Sequence, residues 1–175
     1  MITLAAHRPE FADEFRTEAG RLRAALGDRV TTVEHIGSTA VPGLVAKPIL
    51  DLAARAAPGV DPFGLAGDVA PLAYRRIAHG PKNHGVYVRE HDGARTHILH
   101  VFADGVWDTC PQRLFRDKLL RDATARRRYG DLKTRLAAEL TDGREYTAGK
   151  RALVEELLNE ERASRGLPPT TAWDK

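Results

Sequence analysis

The chain has one cysteine, one methionine, few aromatic residues and no long apolar run, and each scarcity removes a class of explanation. Cys110 alone cannot form an intramolecular disulfide or furnish a cysteine-based zinc site, and it fits a reducing compartment. No histidine lies near it in sequence, so a plain structural thiol is the simpler reading. No apolar stretch approaches the roughly 18 residues of a membrane helix, and the N-terminus lacks a basic-then-apolar signal pattern. A cytoplasmic protein without a membrane partner is therefore expected. Aromatic residues make up 6% of the chain and do not interleave with the basic runs, which speaks against binding single-stranded nucleic acid by base stacking. A Walker loop, G-x-G-x-x-G and G-x-S-x-G are all missing.

What is present is ordinary for a globular protein: 175 residues, 42% hydrophobic and 29% charged. One domain over residues 1–163 is expected, followed by a flexible tail at 164–175 in which Trp173 is the one residue with a reason to dock. The net charge of +3 and pI near 9.2 permit a polyanionic partner such as RNA and suit a phosphorylated small molecule equally well.

The chain is organised around residues 35–54. Val30 to Ile36 reads as a strand ending in Gly37-Ser38-Thr39, small residues that let a backbone approach a bound group and that cap a helix or hydrogen-bond a phosphate. Lys47-Pro48 leads into a second apolar strand, Ile49 to Ala54, carrying Asp51. An ionisable group inside such a strand needs a partner, a metal or an edge. Helices are predicted over 8–27, 61–72, 124–140 and 146–162, with Asp61 capping the second, and a further helical segment opens at Pro111-Gln112 and carries Leu114, Phe115, Leu119 and Leu120. Further strands are predicted over 73–79, 84–90 and 95–102, the last two joined by a hairpin at His91-Asp92-Gly93-Ala94. The expected fold is thus α+β: a mixed sheet flanked by helices, with a helical C-terminal segment.

Five of the seven histidines fall between His79 and His100. On a strand, His97 and His100 point to opposite faces and cannot share one metal ion, which leaves a single imidazole to meet Asp51. In the helical third the basic residues cluster at 113–121, 126–133 and 144–151. They form either a solvated face or a set of arms reaching a phosphate.

Six segments, HIGSTAVPGL, KPILDL, HILHVF, LFRDKLLRD, YGDLK and YTAGK, stand in the order typical of GrpB-like proteins, and the resemblance covers about residues 30–160. It implies a nucleotidyltransferase fold of the DNA polymerase beta type. In that superfamily a Gly-Ser holds nucleotide phosphates and a following strand supplies two carboxylates one residue apart. A third carboxylate comes from a later strand, and the set binds two divalent metals. Gly37-Ser38 and Asp51 match this pattern. Ala53 occupies the second carboxylate position, and Glu90 is the nearest stand-in for the third, with Glu34 or His100 as helpers.

Two readings follow. One is metal-dependent nucleotidyl or phosphoryl transfer to a small acceptor, using Mg²⁺ or Mn²⁺ on Asp51 and a nucleoside triphosphate. Asp51 and His100 would be the catalytic groups, His35, Gly37, Ser38, Thr39 and Lys47 the phosphate loop, and Arg116 and Lys150 the charge-neutralising arms. The other is a nucleotide- or CoA-type binding module without turnover, favoured by Ala53. An RNA-acting transferase ranks last.

Overall fold

The computed structural model describes residues 2–171. Helix α1 (Glu10–Leu26) precedes strand β1 (Val30–Ile36), a single 3-10 turn (Ser38–Ala40) and strand β2 (Leu50–Ala56). The short helix α2 (Ala66–Val69) leads to β3 (Arg75–Arg76), β4 (Gly85–His91) and β5 (Ala94–Phe102). Four helices finish the chain: α3 (Pro111–Arg121), α4 (Ala123–Glu139), α5 (Gly143–Gly149) and α6 (Arg151–Ser164). The strands form one mixed sheet in the order β1-β2-β5-β4-β3, parallel between β2 and β5 and antiparallel elsewhere. The expected α+β architecture is present. Among the described residues no helix is long and apolar enough to cross a membrane.

Strand alternation divides the sheet into two faces. Leu50, Leu52 and Ala54 of β2 and Leu99 and Val101 of β5 join Ala19, Leu22 and Leu26 of α1 in the larger core. Asp51, Ala53, His100 and Phe102 point the other way, toward the C-terminal helices. There Leu114 and Leu119 of α3 pack with Tyr129 of α4 and Leu157 of α6. The β4–β5 hairpin closes through Asp92-Gly93, both at positive φ (50° and 75°), as a two-residue turn with the strand twist requires.

Several elements differ from the sequence reading, and the strand predicted over 73–79 is reduced to Arg75–Arg76. Helix 61–72 shrinks to Ala66–Val69 and one 3-10 turn, because strand β4 holds the preceding backbone. Tyr87 Oη donates to the Pro62 carbonyl (2.8 Å) and accepts from Leu65 N–H (3.0 Å), while Asp61 caps only a local turn at Phe63. The last helix begins earlier, at the Asp142 cap, and breaks at Lys150. After α6 the chain folds back along that helix at Pro168 and Thr170. Asn159 exchanges two hydrogen bonds with Thr170, and Arg162 donates to the Pro168 carbonyl. Trp173 lies outside the described residues.

Candidate functional site

The site grows from the end of β1. Gly37 has φ +71°, and a Cβ built on it would sit 2.3 Å from Asp51 Oδ2. Both the backbone conformation and the close carboxylate therefore demand glycine. Register explains the meeting, since Ile36 stands directly opposite Asp51 across β1 and β2. Ser38 follows, and Lys133 of α4 donates to its Oγ (2.8 Å) and to the Val45 carbonyl. Two aromatic rings complete the wall. Burial, followed by the nearby Asp51 carboxylate, pushes the Tyr129 phenol far above its ordinary pKa. Burial and neighbouring Tyr129 do the same to Tyr146. Lys47 and Lys150 lie over the Tyr146 ring at 5.0 and 4.3 Å from its centroid.

Two cavities meet here, sharing Ser38, Asp51, His100, Tyr129, Thr147 and Lys150. The smaller, about 300 Å³, runs between α3, α5 and α6 over Ile36, Phe115, Leu119 and Val154, with Arg144 and Arg151 also in its lining. The larger, about 730 Å³, extends over β5 and the 79–82 loop and is lined by Lys47, Lys82, Arg95 and Lys133. Among the described residues Asp51 is the one acidic residue lining either cavity. The cleft is strongly cationic around a single carboxylate.

Of the residues expected at a site, Gly37, Ser38, Lys47, Asp51, His100, Arg116 and Lys150 line this cleft. His35 and Thr39 do not. Alternation turns His35 toward α1, where its ring stacks on Phe15 and its Nε2 meets Thr39 Oγ1 at 2.9 Å. Burial and the Arg116 charge lower the His35 pKa to about 4. Arg116 lines the smaller cavity, yet its guanidinium is engaged by Glu34 (2.8 Å), Asp117 (2.7 Å) and the His35 carbonyl (2.8 Å). Burial alone would raise the Glu34 carboxyl, but Arg113 and Arg116 hold it below its ordinary value. Arg116 is thus a structural strut, not a ready arm for a ligand.

A metal centre needs several converging donors, and the residues present do not fit a two-metal site. Ala53 is fully buried beside Ile36, Phe102, Trp107 and Cys110. Glu34 is bound by two arginines, and Glu90 pairs with Arg75 at 2.9 Å away from the cleft. Among the described residues no three His, Cys, Asp or Glu side chains gather to hold an ion. Among the described residues, the linings of the two cavities hold no carboxylate besides that of Asp51.

Tyr129, Lys133, Tyr146 and Thr147 belong to the cleft, and residue-by-residue reasoning did not place them there. A signal existed. YGDLK and YTAGK are both Y-x-x-x-K, a spacing that puts ring and ammonium on one side of a helical turn. Ala125, Tyr129 and Lys133 also repeat at i+4, and all three are buried. The more conspicuous leucines at 132, 136 and 140 masked that stripe.

Fold and cleft together define an α+β protein with a basic cleft built around one aspartate. The family model described as "GrpB protein" matches residues 1–160. A UPF0157 protein of Halalkalibacterium halodurans is 33% identical over 167 residues, covering 93% of this chain and 84% of that one. The glutamate-rich protein GrpB of Alkalihalophilus pseudofirmus is 30% identical over 174 residues, covering 91% and 95% respectively. The crystal structure of the conserved protein GrpB from Enterococcus faecalis superposes with a TM-score of 0.83 at 25% identity, over 94% of this chain and 99% of that one. The chain belongs to the GrpB family.

Proposed function

We propose that the cleft binds a phosphorylated small molecule of nucleotide or CoA type and that its residues are arranged for holding that ligand. The observation carrying this reading is the convergence of Lys47, Lys133 and Lys150 with Ser38 on a cavity whose lining contains one carboxylate. Such a field favours anions, and lysine ammonium groups suit phosphoryl oxygens as point charges. The apolar arm over Phe115, Leu119 and Val154 would take the uncharged body of the ligand.

A second reading, nucleotidyl or phosphoryl transfer, draws on one feature: Asp51 lies against the Gly37-Ser38 loop, where the superfamily that GrpB-like proteins resemble places phosphate and carboxylate together. Buried Ala53 weighs against it, because one carboxylate cannot neutralise both oxygens of a two-metal transfer.

Calorimetric titration with ATP, GTP, CTP, UTP and CoA, with and without Mg²⁺ or Mn²⁺, tests the first reading. Saturable binding that weakens with salt is expected, and Lys150→Met should lower affinity about tenfold, the loss of one charge-assisted hydrogen bond. Failure of every phosphorylated compound to bind would sink the proposal. Pyrophosphate release in the presence of an acceptor panel would promote the second reading over the first.

A further inference from the structure

One buried hydroxyl in the cleft wall is not explained by the fold. Tyr146 is 2% exposed, its Oη is closed to solvent, and among the described residues no group hydrogen-bonds that oxygen. The other tyrosines are accounted for. Tyr74 donates to Glu18, Tyr87 bonds to Pro62 and Leu65, and the Tyr129 hydroxyl meets Ser38. A buried hydroxyl without a bond costs free energy that phenylalanine at the same position would not. The Tyr146 ring packs with Ile2 and Leu136 and lies under Lys47 and Lys150, contacts that a phenylalanine ring would also make. Packing therefore accounts for the ring and leaves the hydroxyl over.

Its place in the fold gives that hydroxyl a use. Tyr146 lines the larger cavity together with Ser38 and Lys47. It stands on α5, a seven-residue helix between the Asp142 cap and the break at Lys150, and the neighbouring Thr147 lines both cavities. A helix so short holds its position through packing more than through its own hydrogen bonds, so a small shift of α5 is inexpensive. Burial, followed by neighbouring Tyr129, pushes the phenol far above its ordinary pKa. Oη thus keeps its hydrogen at neutral pH and calls for an acceptor.

We infer that Tyr146 is a ligand-binding residue whose hydroxyl donates to a phosphoryl oxygen of the bound molecule as α5 settles onto it. The inference rests on the phospholigand reading above and adds to it a neutral donor beside the lysines. An anion drawn toward Lys47 and Lys150 arrives next to the ring that both ammonium groups overlie, at 5.0 and 4.3 Å from its centroid. Because Oη is closed to solvent, the contact forms only with a movement of the ring or of α5.

Two measurements on the full-length protein test this. The first compares wild type with Tyr146→Phe in urea denaturation and in calorimetric titration with ATP, GTP, CTP, UTP and CoA. The variant should unfold at an equal or higher urea midpoint, because it sheds an unbonded hydroxyl. It should also bind about tenfold more weakly each compound that wild type holds. A lowered midpoint would mean that the hydroxyl is already bonded without ligand, and unchanged affinity would mean that no ligand uses it. Either result overturns the inference and leaves the phospholigand reading standing. If wild type binds none of the five compounds, that reading fails and the inference falls with it.

The second measurement follows protein labelled at tyrosine ¹³Cζ, the carbon that bears the hydroxyl. The chain has four tyrosines, and Tyr146→Phe identifies one signal by its loss. Saturation with a compound that binds wild type should move the Tyr146 signal. Those of Tyr74 and Tyr87, which belong to the core on the other face, should stay in place. A stationary Tyr146 signal at saturation overturns the inference, and four stationary signals do so even if the variant fails to fold.

Discussion

The two faces of the sheet place buried charge in different surroundings, one closed within the core and the other at the edge of a cavity. On the α1 face, Glu18 is 2% exposed and receives two bonds from Arg89 (2.9 and 3.1 Å) and one from Tyr74 (2.9 Å), while Arg89 also meets His97. Every one of these charges is closed on protein groups, and the network ties α1 to β4. On the other face, buried Lys133 and Lys150 border a cavity with Ser38, Asp51 and His100. Mutual ion pairing meets the cost of burial on the first face, while on the second Lys133 donates to Ser38 Oγ and the Val45 carbonyl at the edge of the cavity.

The largest effect should come from breaking the closed face. Glu18→Gln leaves Arg89 half-buried without its carboxylate and should lower stability by about 3–5 kcal/mol in urea denaturation, with phospholigand affinity unchanged. A loss of affinity equal to that of Lys150→Met would erase the distinction between the faces. Next, Gly37→Ala forces a Cβ against Asp51 in a left-handed conformation. It should cost about 1–3 kcal/mol of stability and, unlike Glu18→Gln, abolish binding.

Acid should strain both faces together. Burial lowers the pKa of His84 on the cleft face to about 4, and burial with the Arg89 charge does so for His97 on the other. A depressed histidine favours the neutral folded form. Its contribution is complete above the ordinary value near 6.5 and is lost as pH falls from there toward 4. Denaturation at a series of pH values should show a slope of at most about 1.4 kcal/mol per pH unit for each ring, trimmed by solvent screening. His84→Phe should remove one such contribution. The smallest effect belongs to the exposed Arg128–Glu156 pair, where Arg128→Ala should change stability by about 0.5 kcal/mol or less and leave binding alone.

Much of this architecture was legible in residue order. Periodicity located α1, α3 and α4, the Asp92-Gly93 turn marked the hairpin, and Gly37-Ser38 with Asp51 pointed to the cleft. Local patterns failed where a distant group decided the outcome. Tyr87 engages the Leu65 N–H and the Pro62 carbonyl from 22 and 25 residues away, so a well-capped helix signal yields a turn. His35 looked like a loop residue but is the penultimate residue of β1, and alternation sends it to α1. Arg116 read as a ligand arm because Glu34, 82 positions earlier, is invisible to a helix pattern. Lys133 hid behind neighbouring leucines, although its spacing from Tyr129 already announced it.

Ala53 gives the cleft a history as well as a shape. Its methyl group is sealed among Ile36, Phe102, Trp107 and Cys110, and it faces Glu34 across the β1–β2 pair. A single Ala53→Asp exchange would set a carboxylate into aromatic packing and opposite another carboxylate, a burial worth several kcal/mol against folding. A paired-carboxylate centre is therefore more than one mutation away, since the apolar cluster and Glu34 would have to change with it. Single substitutions at this position therefore run uphill in folding free energy before any second carboxylate reaches the cleft.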